Sequence, residues 1–91
     1  MGDDVQLWLV ERTFSDDEQN LIILIYATVD GRYYHRKERA LTSFSGPGRE
    51  TTASTTVPKD RLGSVSDPNR REAYSSEASR MAAEHEPDEA V

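Results

Sequence analysis

Leu21 to Val29 reads Leu-Ile-Ile-Leu-Ile-Tyr-Ala-Thr-Val, almost without a polar break. A short continuous apolar run of strand-forming residues predicts a strand buried on both faces, hence a central one. Ahead of it, Val5-Gln6-Leu7-Trp8-Leu9-Val10 is a mixed run rich in strand formers, joined to it by the polar stretch Ser15-Asp16-Asp17-Glu18-Gln19. Behind it stands Asp30-Gly31, a strong hairpin signal, because a type I′ turn needs positive φ at both central residues. The pattern predicts strands at residues 4–14, 20–29 and 32–41.

The next segment, 45–65, breaks this rhythm. Ser45-Gly46-Pro47-Gly48 interrupts structure, and Thr51 to Thr56 is almost all Thr, Ser and Ala. The threonines suit either a short edge strand ending at Val57, before Pro58, or an ordered loop. Gly46-Pro47-Gly48 lacks the Gly-Lys-Ser/Thr ending of a phosphate loop. A helix is predicted over 67–84. Asp67 can cap its free amides, and Pro68 fits the first turn, where a missing N–H costs nothing. Tyr74, Ala78, Met81, Ala82 and His85 form one stripe at helical spacing. Glu86-Pro87 ends the helix, and 85–91 is expected to fray as an acidic tail. The expected fold is α+β in a single domain over 1–84: a three-stranded antiparallel meander, four-stranded if the threonines pair, with a C-terminal helix on one face.

A two-residue Asp30-Gly31 turn makes paired positions in the second hairpin sum to 61, so Ala27 faces Tyr34, Ile25 faces Arg36, Tyr26 faces His35 and Leu24 faces Lys37. A five-residue loop at 15–19 makes the first hairpin sum to 34, a weaker step, since one residue of slip exchanges the faces of the first strand. In that register the helix sits on Val5, Leu7, Leu9, Leu21, Ile23, Ile25, Ala27, Val29, Tyr34 and Ala40. The opposite face holds Trp8, Val10, Ile22, Leu24 and Tyr26, with Arg12, His35, Lys37 and Arg39 at its margin. Left bare, its apolar centre would expose a patch of roughly several hundred Å², which monomers avoid. Its cover is the 45–65 segment, a second copy of the chain or another partner.

Charge adds a setting. There are 17 acidic and 11 basic residues among 91, a net charge of −6, and nine of the basic residues are arginine. Acid excess with few lysines suits concentrated salt, where a Debye length of about 3 Å screens repulsion among carboxylates. An ordinary acidic protein from a G/C-rich genome would show the same bias. The chain has no cysteine, which excludes a disulfide scaffold, a thiolate zinc site and a cysteine nucleophile. It has no apolar run near the ~20 residues of a bilayer span and no export leader, so a cytoplasmic setting is expected, with no membrane partner.

Candidate chemistry is sparse. His35 and His85 are the only histidines, without ligand spacing for a metal or a recognisable nucleophile elbow. No catalytic residue, metal or cofactor is expected. Tyr33-Tyr34-His35-Arg36-Lys37-Glu38-Arg39 interleaves aromatics with cations, as single-strand nucleic-acid binders do. Alternation splits it, with Tyr33, His35, Lys37 and Arg39 pointing one way. Lys and Arg on an edge strand also serve simply to block aggregation. Glu11 and Glu38 flank Ile23, most simply as a rim ion pair with Arg36. Asp16-Asp17-Glu18 and Glu86-Pro87-Asp88-Glu89 are read as solvated charge runs or weak cation sites.

Two resemblances bear on function. Leu62-Gly63-Ser64-Val65, followed by a helix containing Ala73-Tyr74 and Glu77-Ala78, resembles the strand-to-helix passage of ethylene-response-factor and integrase-type DNA-binding domains. That resemblance implies three antiparallel strands on a C-terminal helix, reading the major groove with the free sheet face. The Asp-Asp-Val-Gln-Leu-Trp-Leu-Val-Glu-Arg opening and Ala-Ser-Arg-Met-Ala-Ala-Glu-His ending resemble small acidic uncharacterised proteins of halophilic archaea, which implies a habitat and no mechanism. The expected function is non-catalytic binding, with Trp8, Val10, Ile22, Leu24 and Tyr26 contacting protein, including a second copy. The alternative is nucleic-acid binding by the same face through Arg12, Tyr33, His35, Lys37 and Arg39.

Overall fold

The computed structural model describes residues 3–15, 21–40 and 51–91. Its order is β1 (Asp4–Ser15), β2 (Leu21–Ala27), β3 (Tyr33–Ala40), β4 (Ser54–Pro58), a single 3-10 turn (Lys59–Arg61), β5 (Gly63–Ser64) and α1 (Pro68–Glu84). The fold is α+β, an antiparallel sheet in the order β4-β1-β2-β3-β5 with one C-terminal helix. The expected meander is its centre. The threonine segment adds β4 to the outer side of β1, and two further residues add β5 outside β3. The expected 15–19 loop and the Ser45–Gly48 breaker lie outside the described residues, apart from Ser15 at the end of β1.

The second hairpin has the register the sequence predicts, from Leu21 opposite Ala40 to Ala27 opposite Tyr34. Its turn differs. Gly31 N–H donates to the Thr28 carbonyl at 2.9 Å and Thr28 N–H to Tyr33 at 3.0 Å, so the loop is Val29–Arg32 rather than a two-residue turn. Gly31 has φ 73°. The Asp30 carboxylate accepts from the Thr28 hydroxyl at 2.6 Å and from Arg32 N–H at 3.0 Å. Those bonds hold the Asp30 carboxyl below the usual carboxylate range, the Thr28 bond contributing most. The shorter loop was expected because Asp-Gly is also the I′ signature; here the side-chain bonds of Asp30 build a wider turn.

The first hairpin corrects the face assignment. Leu9 pairs with Tyr26 and Glu11 with Ile25, so Val10 is an extra residue, a β-bulge. Trp8 pairs with Ala27, on the Ile25–Ala27–Tyr34 side of the sheet, while Leu7 and Leu9 share the side of Leu24 and Tyr26. The helix lies on the Ala27 side, where Tyr74 clusters with Ala27 and Val65, with Ile25, Tyr34 and Val10 packed against them. Ala78 and Met81 join the main core with Trp8. Thus Trp8 is beneath the helix, and Val5, Leu7 and Leu9 are not.

The opposite face is no bare patch. Leu7 and Leu24 are 0% exposed and Tyr26 is 1% exposed within the single chain. Ala53 and Val57 belong to the same core, Leu62 packs against it, and the Tyr26 hydroxyl donates to the Thr52 carbonyl at 2.9 Å. Residues 51–62 therefore cover part of this face. The four residues between β4 and β5 explain how. In a flat sheet those edges would be four strand spacings, about 19 Å, apart. A connection with three residues in a 3-10 turn reaches only about 13 Å, so the sheet curls to bring its edges together.

Helix α1 starts where the sequence puts it. Asp67 accepts from Asn69 N–H at 3.0 Å, and Pro68 takes the first turn. Beyond the helix, residues 85–91 are held rather than frayed. Ala53 N–H donates to Glu89 at 2.8 Å, Ser54 N–H to Pro87 at 3.0 Å and Val91 N–H to Thr51 at 2.9 Å. The tail supplies partners to an edge that would otherwise leave backbone groups open, which outweighs its acidic composition.

Candidate functional site

The bulge at Val10 has a chemical consequence. Without it, Glu11 would follow Leu9 onto the face away from the helix, because alternate strand residues share a face. With it, Glu11 stands opposite Ile25, which stands opposite Arg36. One row across the helix-bearing face therefore reads Glu11–Ile25–Arg36, with its ends two strand spacings, about 10 Å, apart. Bulges commonly re-aim side chains in this way beside functional sites.

Above this row lies a groove of about 440 Å³. Ile25 and Tyr34 come from the sheet, Ser64 to Asp67 from the passage into the helix, and Arg70 and Tyr74 from the first turns of α1. Arg70 and Tyr74 are four residues apart, so they project from one side of the helix. The passage is pinned by Val65 N–H to the Arg32 carbonyl at 2.8 Å and by Arg71 Nε to the Val65 carbonyl at 2.5 Å. Gly63 leaves room for the Tyr34 ring, whose nearest atom would be 2.6 Å from an added Cβ.

The polar groups in this groove are largely uncommitted. Arg36 forms an exposed ion pair with Glu38, the rim pair the sequence suggests. Among the described residues, the Glu11 carboxylate, the Arg70 guanidinium and the Tyr34 and Tyr74 hydroxyls have no partner within the chain. They feel one another nonetheless. The Tyr74 hydroxyl is pushed above the usual tyrosine range, first by burial and then by the Glu11 charge, with Arg70 opposing and Tyr34 adding to the rise. An acid, a guanidinium and two phenols thus converge on a space whose size suits a small ligand.

A second groove, of about 280 Å³, lies where the other end of the helix meets β1. Glu11 borders this groove as well, but the groove's other charged side chains are held within the chain. Arg80 bonds Glu77 and Glu84, His85 Nδ1 lies 2.8 Å from Glu89, and Arg12 Nη1 donates to the Val91 carbonyl at 2.8 Å. Hydrogen bonds from Arg80 lower the Glu77 carboxyl, and the His85 contact, with Glu86 N–H second, lowers that of Glu89.

The residues expected to form a protein interface are not a surface. Trp8, Ile22, Leu24 and Tyr26 are all buried in the chain's own core, and Val10 is the half-buried bulge residue. The free sheet face implied by the DNA-binding resemblance is therefore closed at its centre. Of the nucleic-acid candidates, Tyr33, His35 and Lys37 share one side of β3, with Tyr33 43% exposed. Arg12 is across the row from Lys37 and is held by Val91; the Arg39 side chain lies outside the description. Arg70, Tyr74, Tyr34, Ser64 and Ser66 were not singled out from sequence as a site. The i, i+4 spacing of Arg70 and Tyr74 was a usable signal; Glu11 was expected on this face, but opposite Ile23 rather than Ile25.

No helix among the described residues is long and apolar enough to cross a membrane, and no group of three or more metal-ligating side chains occurs among them. No curated protein and no solved structure matches the chain. A family model does match, over residues 1–91, and it carries the description of a family of unknown function. The chain belongs to that family, DUF7967.

Proposed function

We propose that the chain is a non-catalytic binding module whose ligand occupies the groove between β1, β3 and the start of α1. One observation carries this reading: Glu11, Arg70, Tyr34 and Tyr74 converge on the groove without partners among the described residues. Glu11 and Arg70 are exposed and held by no bond among the described residues, so they are free to turn to a ligand, whereas Arg80, His85 and Arg12 of the second groove are engaged within the chain. Binding here relies on positioned charge and aromatic surface rather than on a reacting centre. His35 is on the other side of β3, and His85 is engaged by Glu89, so neither histidine reaches the groove. A cytoplasmic, salt-rich setting belongs to the same proposal and is supported by the net charge of −6.

The test is ligand-dependent thermal stabilisation. A ligand at 100 times its Kd raises stability by about 2.7 kcal/mol, which in a chain of this size is a rise of roughly 10–20 °C in Tm. Small molecules that stabilise the wild type should lose that effect in Glu11→Ala and Arg70→Ala, both exposed positions. A stabilising ligand indifferent to both substitutions places binding elsewhere.

A second reading has its own support. Tyr33, His35 and Lys37 present an aromatic and two basic side chains from one side of β3, as stacking on single-stranded nucleic acid requires. Fluorescence anisotropy with a labelled oligonucleotide tests it. Binding that weakens in Tyr33→Ala and Lys37→Ala supports this reading, and no binding at low salt removes it.

A further inference from the structure

We infer that the groove selects a small linear zwitterion, an amino-acid-like molecule with a cationic amine at one end and a carboxylate at the other. This rests on the binding reading above and specifies its ligand. Glu11 closes one end of the Glu11–Ile25–Arg36 row, and guanidiniums stand at the other end and overhead, Arg36 on β3 and Arg70 on α1. Asp67 also lines the groove at the helix start, but its carboxylate is bound to Asn69 N–H, and Glu38 offsets Arg36, so among the described residues the unpaired charges left on the groove are Glu11 on β1 and Arg70 on α1. A ligand of single charge satisfies one end and leaves the other facing water or a like charge.

The middle of the groove fits the same ligand. Ile25 offers an apolar floor, and Tyr34 and Tyr74 add aromatic rings and hydroxyls. A short methylene chain matches that middle. An ammonium near Glu11 would lie close to Tyr74, where a phenol ring adds cation–π attraction. A carboxylate at the other end would meet Arg70, whose fork geometry suits two parallel hydrogen bonds. Arg36 is partly neutralised by Glu38, so Arg70 is the principal anion partner. Neither Glu11 nor Arg70 is buried, and their substitution leaves the core intact.

The experiment is an NMR titration of amide shifts with the ω-amino acid series from glycine to 6-aminohexanoate. Alkylamines and alkyl carboxylates of matched length serve as single-charge controls. It is run in low salt and again in 1 M KCl. The expected result is an affinity that peaks at one chain length, exceeds both controls by at least about fivefold, and falls by a similar factor in Glu11→Gln and in Arg70→Gln. High salt should weaken it, because the groove is open and its charges are screened. Equal binding of a plain carboxylate, or full affinity in Glu11→Gln, overturns the inference. If other small molecules shift groove amides while no amino acid does, the zwitterion is wrong and the binding reading stands. If nothing shifts them, both fall.

Discussion

Replacing Gly31 with Ala tests the joint that fixes the helix over the groove. Gly31 sits at φ 73°, where a non-glycine residue costs about 1–2 kcal/mol. A second problem is contact. An added Cβ would lie 2.1 Å from the Arg71 carbonyl oxygen and 2.9 Å from Ser75 N, both backbone atoms of α1. Relief requires the hairpin tip and the helix to separate by about 1 Å, an estimate from ordinary contact distances. That movement breaks the bond from the Ser75 hydroxyl to the Val29 carbonyl, now 2.8 Å, at a cost of about 1 kcal/mol. The sum is about 2–3 kcal/mol, out of a total near 5–14 kcal/mol for a chain this long. It corresponds to a fall of roughly 8–24 °C in Tm. The assay is urea unfolding followed by the fluorescence of Trp8, the sole tryptophan, which is buried beneath the helix. Gly31→Asn separates the two causes, since Asn tolerates positive φ but carries the same Cβ. It should recover up to about 1–2 kcal/mol relative to Gly31→Ala and still fall short of the wild type. Wild-type stability in Gly31→Asn would mean that the helix does not press on this turn.

Other substitutions follow from the same contacts. Met81→Ala removes a buried side chain from the core with Ala78 and Trp8; it should cost about 2–4 kcal/mol, read from the same urea curves. Asp67→Ala removes the cap on Asn69 N–H and should cost about 1 kcal/mol, whereas Asp67→Asn should restore most of it. The carboxyls of Asp30, Glu77 and Glu89 are all lowered by hydrogen bonds in the fold. Each therefore contributes stability that is full above the ordinary carboxylate range and lost as pH falls through the lowered value. Stability should drop below about pH 4, and Asp30→Asn should flatten that drop; an unchanged acid limb in the variant would rule out the Asp30 contribution. Tyr74 is the opposite case. Its hydroxyl is raised, so its contribution is present below about pH 10 and lost as pH rises through the raised value. Tyr74→Phe should remove that alkaline loss.

Local pattern carried the elements whose causes are local. The helix was legible because Asp67-Pro68 and the Tyr74–Ala78–Met81 stripe are adjacent in sequence. The β2–β3 register was legible because Thr28 to Tyr33 closes on itself, even though its turn is wider than Asp-Gly alone suggests. The β1–β2 register was not. Val10 looks like any other strand residue, and an inserted residue exchanges Leu9 and Trp8 between faces. β4 stood only as one of two readings of the threonine segment and β5 was not foreseen, because their partners are distant: Val57 pairs with Val5, and Gly63 with Tyr34. The same long-range closure buries Leu24 and Tyr26, which turned an expected interface into core. The tail misled by composition, since its order comes from backbone bonds to 51–54. Glu11 was already expected on the helix side, opposite Ile23 in a row with Glu38; the groove was illegible because the actual register carries it to Ile25, in a row with Arg36.

The central claim is that ligands enter between Glu11 and Arg70, on the helix side of the sheet. A proton–nitrogen correlation spectrum recorded while a broad fragment mixture is added to the wild-type chain tests it most directly. The account predicts that the shifting amides cluster at Glu11, Ile25, Tyr34, Ser66 and Arg70. Shifts confined to Tyr33, His35 and Lys37, or to the groove beside Arg80 and His85, would contradict it.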